Sequence, residues 1–175
     1  VKIGDWKGSK ILKTLEKADS YRKTIHDFKT KEDLKKKRSL LIQKLRQRFG
    51  RCHKNVTSKV SEIHNRTINW LTSNYRMILL PEFNSKQMVT SECLHHKAKR
   101  QLMTWSHYKF KEKLINKVQE TKDCILRIVN ESYTSKTCGN CGHIKENLGG
   151  SRVFKCDSCL HTCDRDINGA RNIWM

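Results

Sequence analysis

"CGNCGHIKENLGGSRVFKCDSCLHTCDRDINGARN" runs from Cys138 to Asn172. It opens with two Cys-x2-Cys pairs, Cys138/Cys141 and Cys156/Cys159, separated by 14 residues. Two residues between cysteines let the backbone wrap a knuckle around one metal, and two knuckles bring four thiolates to a tetrahedron. Four thiolates saturate Zn2+ and leave no open position, so the one zinc expected here is structural. Between the pairs, Gly149–Gly150 supplies a turn and Val153–Phe154 a short strand, as a ribbon requires. Two disulfides compete for the same cysteines, but metal spacing favours a reducing compartment. Cys163 could compete as a ligand, at the expense of the pair symmetry. His143 and His161 read as surface residues, Cys52 and Cys93 as isolated thiols, and Cys124 as core.

Beyond the cysteines, "DRDINGARN" reads as a polar turn entering a short helix. Asp164 or Asp166 can cap that helix by accepting its first N–H groups. Alternatively, Asp166 is a metal ligand, with Gly169 and Ala170 letting the helix pack closely and hold the carboxylate still. Upstream, "MILL" (77–80) and "CILRIV" (124–129) read as buried strands. Each is followed by a glutamate, Glu82 and Glu131. Pro81 ends the hydrogen bonding of the first strand, because it has no N–H to donate.

The rest of the chain reads mostly as helix. Ile11, Leu15, Ala18, Tyr21 and Ile25 recur at helical spacing. A basic helix follows over 29–54 with Leu34, Leu41 and Leu45 as its stripe, then a separate helix carrying Val56, Val60, Ile63, Thr67, Trp70 and Leu71. Residues 84–90 read as a loop, and one long helix is expected from about Ser91 to Glu120 with Leu94, Ala98, Leu102, Trp105 and Leu114 on one side. Val1–Ile3 is strand-like, with a turn over Gly4–Gly8, and the abrupt start is that of a piece cut from a longer chain. Strands separated by long helices argue for an α/β core.

Charge narrows the function classes. Lys and Arg number 37 against 17 Asp and Glu, a net charge of +20 over 175 residues. Such an excess opposes the compact state and points to a polyanion, with nucleic acid the first expectation. The stretch 29–54 holds eleven Lys and Arg and only two acids. Lys36, Lys37 and Arg38 are the candidate phosphate contacts, which are sequence-independent and salt-dependent. No apolar run reaches the length of a membrane span, and no leader pattern is present. Neither a membrane nor a small-molecule substrate is expected as partner.

"SYTSKTCGNCG", the second Cys-x2-Cys pair and "DRDINGARNI" together resemble the C-terminal part of TnpB-like transposon nucleases, in particular their eukaryotic and viral relatives, the Fanzor proteins. "ILLPEFNSKQM" (78–88) and "RQLMTWSHYKFKEKL" (100–114) fit the same pattern. The resemblance implies an RNase H-like (RuvC) core, incomplete at its N-terminus, with long helical segments and an inserted four-cysteine zinc ribbon. It divides the chain into a nuclease core over 1–135 with a basic helical insertion at about 10–76, a target-nucleic-acid-binding ribbon over 136–162, and a last catalytic element over 163–175. The implied activity is that of an RNA-guided DNA endonuclease, with a DNA target and a guide RNA as partners. Its location would be the nucleus for a eukaryotic or viral protein and otherwise intracellular. Two Mg2+ held by Asp, Glu and Asp would hydrolyse the phosphodiester, since Mg2+ is hard and prefers oxygen.

Carried over residue by residue, the resemblance makes Asp166 the last aspartate, and Cys138, Cys141, Cys156 and Cys159 the zinc ligands. The first aspartate belongs to an Asp-x-Gly on a strand. No Asp-x-Gly occurs here, and Asp5, followed by Trp6-Lys7-Gly8, has the wrong spacing. The chain alone is therefore expected to be inactive. In bacterial relatives the glutamate precedes Asp-Leu-Asn; aligning Phe83-Asn84 and Met88 with that pattern puts Pro81 on the glutamate's position and Glu82 one residue later. A one-residue shift in a strand reverses the face, which turns Glu82 away from the metals; the resemblance to Fanzor proteins, with a relocated glutamate after this strand, implies Glu131 as the favoured replacement and leaves Glu82 the alternative. Arg171 would either reach a phosphate at the active site or serve as a surface residue. A catalytically inactive zinc-ribbon nucleic-acid-binding protein derived from such a nuclease is the alternative function, and a transposase the least favoured one.

Overall fold

The computed structural model describes residues 8–30, 35–83, 89–90 and 94–174, with side chains omitted for residues 8, 9, 30 and 35–38. The strand and turn expected over 1–7, the loop residues 84–88, Leu34 and Cys93 lie outside the described residues. The elements are α1 (Gly8–Thr30), α2 (Lys35–Asn74), β1 (Met77–Pro81), α3 (His96–Trp105), α4 (His107–Glu120), β2 (Ile125–Val129), β3 (Val153–Lys155), β4 (Thr162–Asp164) and α5 (Arg165–Trp174). They fall into two compact units. One holds α1, α2, α3 and most of α4; the other holds β1, β2, the cysteine-rich hairpin and α5.

In the helical unit, Ile11 of α1 meets Val56 and Val60 of α2, with Ile63 and Trp105 packed against them. The basic helix and its expected successor are one 40-residue helix. No proline interrupts it, and Gly50 alone costs only about 1 kcal/mol against alanine, too little to end a helix packed along its length. The buried face of α2 includes Leu45, Val56, Val60, His64 and Ile68, whereas Leu41 is 43% exposed. That leaves Leu41 outside the stripe expected of it and brings in His64. The long helix expected to reach Glu120 is instead two helices. Ser106 breaks it by adopting the left-handed region at φ 47°, its N–H donating to the Met103 carbonyl. Arg100 bonds Asp19 at 2.9 Å and Lys97 bonds Glu16 at 3.0 Å, tying α3 to α1. Lys113 of α4 bonds Ser61 Oγ and Asn65 Oδ1 of α2, while Leu114 is wholly buried.

In the second unit β1 and β2 are parallel, with Met77 opposite Ile125 and Pro81 opposite Val129. Val153–Lys155 and Thr162–Asp164 pair as an antiparallel hairpin. Ile78 is buried, but Met77, Ile125 and Ile128 are exposed, so β2 is not the buried strand its composition suggests. Cys124 is half-buried, its thiol 3.5 Å from the Tyr75 carbonyl. No described helix is long and apolar enough to cross a membrane.

Candidate metal centre and strand-end carboxylates

The two Cys-x2-Cys pairs fold into matching knuckles. In the first, the Cys138 N–H donates to the His143 carbonyl at 2.8 Å; in the second, the Cys156 N–H donates to the His161 carbonyl at 2.9 Å. Gly142 and Leu160, each just after the second cysteine of its pair, take φ 75° and 58°. Glycine adopts that region freely; a leucine does so at a cost of about 1–2 kcal/mol, accepted where the knuckle demands it. The two histidines thus close the knuckles with their backbones, a role their side chains do not reveal.

This geometry gathers Cys138, Cys141, Cys156 and Cys159 so that their sulfurs all lie within 4.8 Å of one another. Cys138 and Cys159 sulfurs are 3.7 Å apart, as are those of Cys141 and Cys156. A tetrahedron with metal–sulfur bonds of about 2.3 Å has edges of about 3.8 Å, so the four thiols fit a zinc ion. The Cys159 thiol is held down to about 6 by the His161 backbone N–H, the Asn140 side chain and the Cys141 thiol. Cys141, although the His143 N–H favours its thiolate, is pushed up to about 12 by its bond to Cys159, by desolvation and by its bonds to Cys156 and Cys138. A cation at the centre removes that competition by stabilising every thiolate together. Phe154 is packed with Cys138 and Cys156 beneath the cluster, and Cys163 lies against them as part of this core rather than as a ligand.

The hairpin leads directly into α5. Asp164 is its N-cap: Oδ1 accepts the N–H of Asp166 at 2.8 Å and of Ile167 at 3.3 Å. Asp166 therefore stands in the first turn, exposed, where the helix dipole favours a carboxylate. The opposite face of α5 carries Asn168 and Gly169, both buried, and Asn172 one turn later. Asn168 Oδ1 accepts the Gly139 N–H at 3.0 Å and its Nδ2 donates to the Thr137 carbonyl at 2.7 Å. Asn172 Nδ2 donates to the Thr134 and Thr137 carbonyls, both at 2.7 Å. Neither asparagine stood out in the sequence. Their i, i+4 spacing on a polar helix is their one signal, since it puts two amides on a single face.

The two candidate glutamates leave the same edge of the parallel pair. The Glu82 N–H donates to the Val129 carbonyl at 2.9 Å, extending the ladder one residue past Pro81. In a parallel ladder alternate residues bond the same neighbour, so the nitrogen of Pro81 faces away from β2 and no β1–β2 bond is lost to it. Glu131 follows β2 in a turn closed by the Ser132 N–H on Asn130 Oδ1 at 2.8 Å. Its carbonyl accepts both the Thr134 N–H and hydroxyl. Both glutamates are exposed. Among the described residues, the four cysteines are the one group of three or more metal-ligating side chains brought together, and the carboxylates form no such cluster.

Arg171 is exposed near the end of α5, its stem against Gly139. Lys36, Lys37 and Arg38 lie in the first turns of α2, and their side chains are outside the described residues.

Residues 107–173 match the family model for a Cas12f1-like TNB domain. The chain is 35% identical over 148 residues to TnpB-like protein L79 of Acanthamoeba polyphaga mimivirus, an alignment covering 83% of this chain and 28% of that protein. It is 37% identical over 75 residues to the CRISPR-associated endodeoxyribonuclease Cas12f1 of Sulfoacidibacillus thermotolerans, covering 42% of this chain and 18% of that one. Its fold superposes on the chain in the cryo-EM structure of a Cas12f1–sgRNA–target DNA complex with a TM-score of 0.52 at 21% identity, covering 90% of this chain and 40% of the other. The chain thus spans a little over a quarter of the length of the TnpB-like relative.

Proposed function

The chain belongs to the TnpB-like relatives of Cas12f1, and we propose that it forms the C-terminal part of an RNA-guided DNA endonuclease. One observation carries the reading furthest. Four thiols converge at tetrahedral spacing in a hairpin that runs straight into a helix with Asp166 in its first turn. On this reading the thiols hold one structural Zn2+ in a ribbon inserted in an RNase H-like core. The DNA target and guide RNA enter by analogy with the Cas12f1 complex, and the +20 charge suits both. In such systems base pairing reads the sequence while the protein holds backbone and shape.

Mg2+, when bound, would supply hydrolysis of the phosphodiester. This chain offers Asp166 and one glutamate towards it, which is not a complete ligand set. The parallel register speaks against Glu82 as that glutamate. Residues opposite one another in a parallel pair share a face, and Val129 is opposite Pro81. Glu82 continues the ladder on the face of Ile78 and Leu80, opposite to that of Pro81, whereas Glu131 lies two residues beyond Val129 in the turn after β2. An inactive nucleic-acid-binding descendant is the second reading, favoured by the absence of a carboxylate cluster among the described residues.

The test is cleavage of target DNA by the full-length protein with Mg2+ and the RNA transcribed beside its gene. Glu131→Ala and Asp166→Ala should each lower the rate by at least a hundredfold, while Glu82→Ala stays within threefold of the parent. The opposite pattern for the two glutamates moves the assignment to Glu82, and no cleavage by the parent protein favours the inactive descendant.

A further inference from the structure

We propose that Asn168 and Asn172 are positioning residues that make the placement of α5, and with it Asp166, depend on a closed cysteine cluster. The inference rests on the reading of Asp166 as a catalytic carboxylate for its consequence, but its geometry stands apart from that reading. The Asn168 side chain is 2% exposed and clasps the backbone on both sides of Cys138, accepting the Gly139 N–H and donating to the Thr137 carbonyl. One amide thus pairs with the knuckle as an edge strand would. Asn172 adds bonds to the Thr137 and Thr134 carbonyls. Thr134 in turn holds the Glu131 carbonyl through its N–H and hydroxyl. A continuous set of hydrogen bonds therefore runs from the first knuckle through α5 to the turn that carries Glu131.

The packing leaves little slack. A Cβ at Gly139 would stand 3.2 Å from Arg171 Cδ, Asn168 Oδ1 and Asn172 Oδ1 alike. Glycine is needed there because the helix side chains lie directly on the knuckle backbone. Asp166 is two residues from Asn168, about 200° around the helix, so one face can be anchored while the carboxylate projects into solvent. Opening the knuckle removes the backbone conformation that both amides grip, and α5 loses its register on the hairpin. Linkage makes the coupling reciprocal: if a closed cluster holds α5, then an intact α5 latch holds the metal.

The reciprocal half supplies a test independent of activity. In the full-length protein loaded with Zn2+, release of the metal to an excess of a colorimetric chelator should be at least tenfold faster for Asn168→Ala than for the parent. Gly139→Ala, which keeps both amides but pushes α5 away, should show the same direction. Asp166→Ala should leave release unchanged. Loading with Co2+ should give the same thiolate-to-metal absorption in every variant, showing that the ligand set is intact. On the cleavage side, Asn168→Ala should lower kcat at least tenfold with KM little changed. Parent-like release from both Asn168→Ala and Gly139→Ala overturns the coupling. Faster release with full cleavage by Asp166→Ala leaves the coupling standing and overturns the catalytic reading of Asp166. If Asn168→Ala does not fold, Gly139→Ala alone decides the matter.

Discussion

Removing one ligand of the cysteine cluster should unfold the hairpin and leave the helical unit standing. Cys156→Ser is the sharpest perturbation, because that side chain has no exposed surface and lies with Cys138 and Phe154 in the hairpin's core. The apolar part of this core is small: Phe154, with Leu148 against it. Full burial of one such side chain contributes about 1.5–3 kcal/mol, whereas a structural zinc contributes about 10–16 kcal/mol. On the zinc reading the metal therefore dominates. Taken as an even share of four bonds, one lost thiolate costs about 2.5–4 kcal/mol, or roughly a hundred- to a thousandfold in affinity. A serine hydroxyl recovers little, since it is a far poorer ligand for zinc than a thiolate. The assay is zinc per chain after challenge with a chelator buffered near the parent's affinity, paired with amide hydrogen exchange. The parent should retain one zinc, and Cys156→Ser essentially none. Exchange should accelerate over 137–164 in the variant and remain slow over 96–117, where α3 and α4 pack in a separate unit. If the metal-stripped hairpin keeps its protected amides, the cluster is not what holds it, and the zinc assignment fails with it.

Three further outcomes are expected. Replacing Lys36, Lys37 and Arg38 together by glutamate should weaken binding to RNA and to duplex DNA of any sequence; for duplex, the slope of log affinity against log salt should become shallower by about 2–3, one phosphate contact being worth ~0.9. Affinity and slope equal to the parent's would remove this segment from the interface. Stability of the helical unit should fall as pH drops below 6.5, because burial, the Lys113 ammonium and His107 hold the His64 imidazole below its ordinary value of 6.5, against a weaker opposing bond to the Trp105 backbone. The unfolded chain then binds the extra proton first, and above that range this contribution is constant. His64→Gln should flatten the fall in urea unfolding, leaving the part due to His107, which burial also holds low; an unchanged pH profile would acquit His64. Gly50→Ala should stabilise the chain by about 0.5–1 kcal/mol, since Gly50 lies within α2 with open space around an added Cβ. A drop in the urea midpoint would mean that this stretch of α2 does not persist in solution.

The hairpin was legible in the sequence because ligand chemistry is local. Spacing alone fixed which four sulfurs converge, and Gly149–Gly150 and Val153–Phe154 fell where the turn and strand are found. The extent of the helices was less legible. Nothing in "TWSHY" (104–108) breaks a helix by intrinsic preference, and Ser106 takes its left-handed conformation where α3 gives way to α4. Burial was least legible of all. "CILRIV" has the composition of a strand covered on both faces, as parallel strands usually are, yet Ile125 and Ile128 are exposed.

Pro81 shows how far a sequence register and a structural register can be joined. From the sequence, proline at a strand end reads as a terminator standing on the glutamate's position, with Glu131 the favoured replacement and Glu82 the alternative. The ladder gives the proline a different meaning. Its nitrogen faces away from β2, and the Glu82 N–H still reaches the Val129 carbonyl, so proline costs the parallel pair nothing. Proline offers no carboxylate on that face at that level and no N–H on the side of β1 away from β2. On the proposed reading, the carboxylate missing there is supplied by a neighbouring turn. Two residues past the partner of Pro81, the chain places Glu131 in a turn fixed by Asn130 and Thr134, and Asn172 ties that turn to the helix of Asp166. The choice between Glu131 and Glu82 is thus a choice between the turn after β2 and the last rung of the ladder, and the two alanine variants read it out directly.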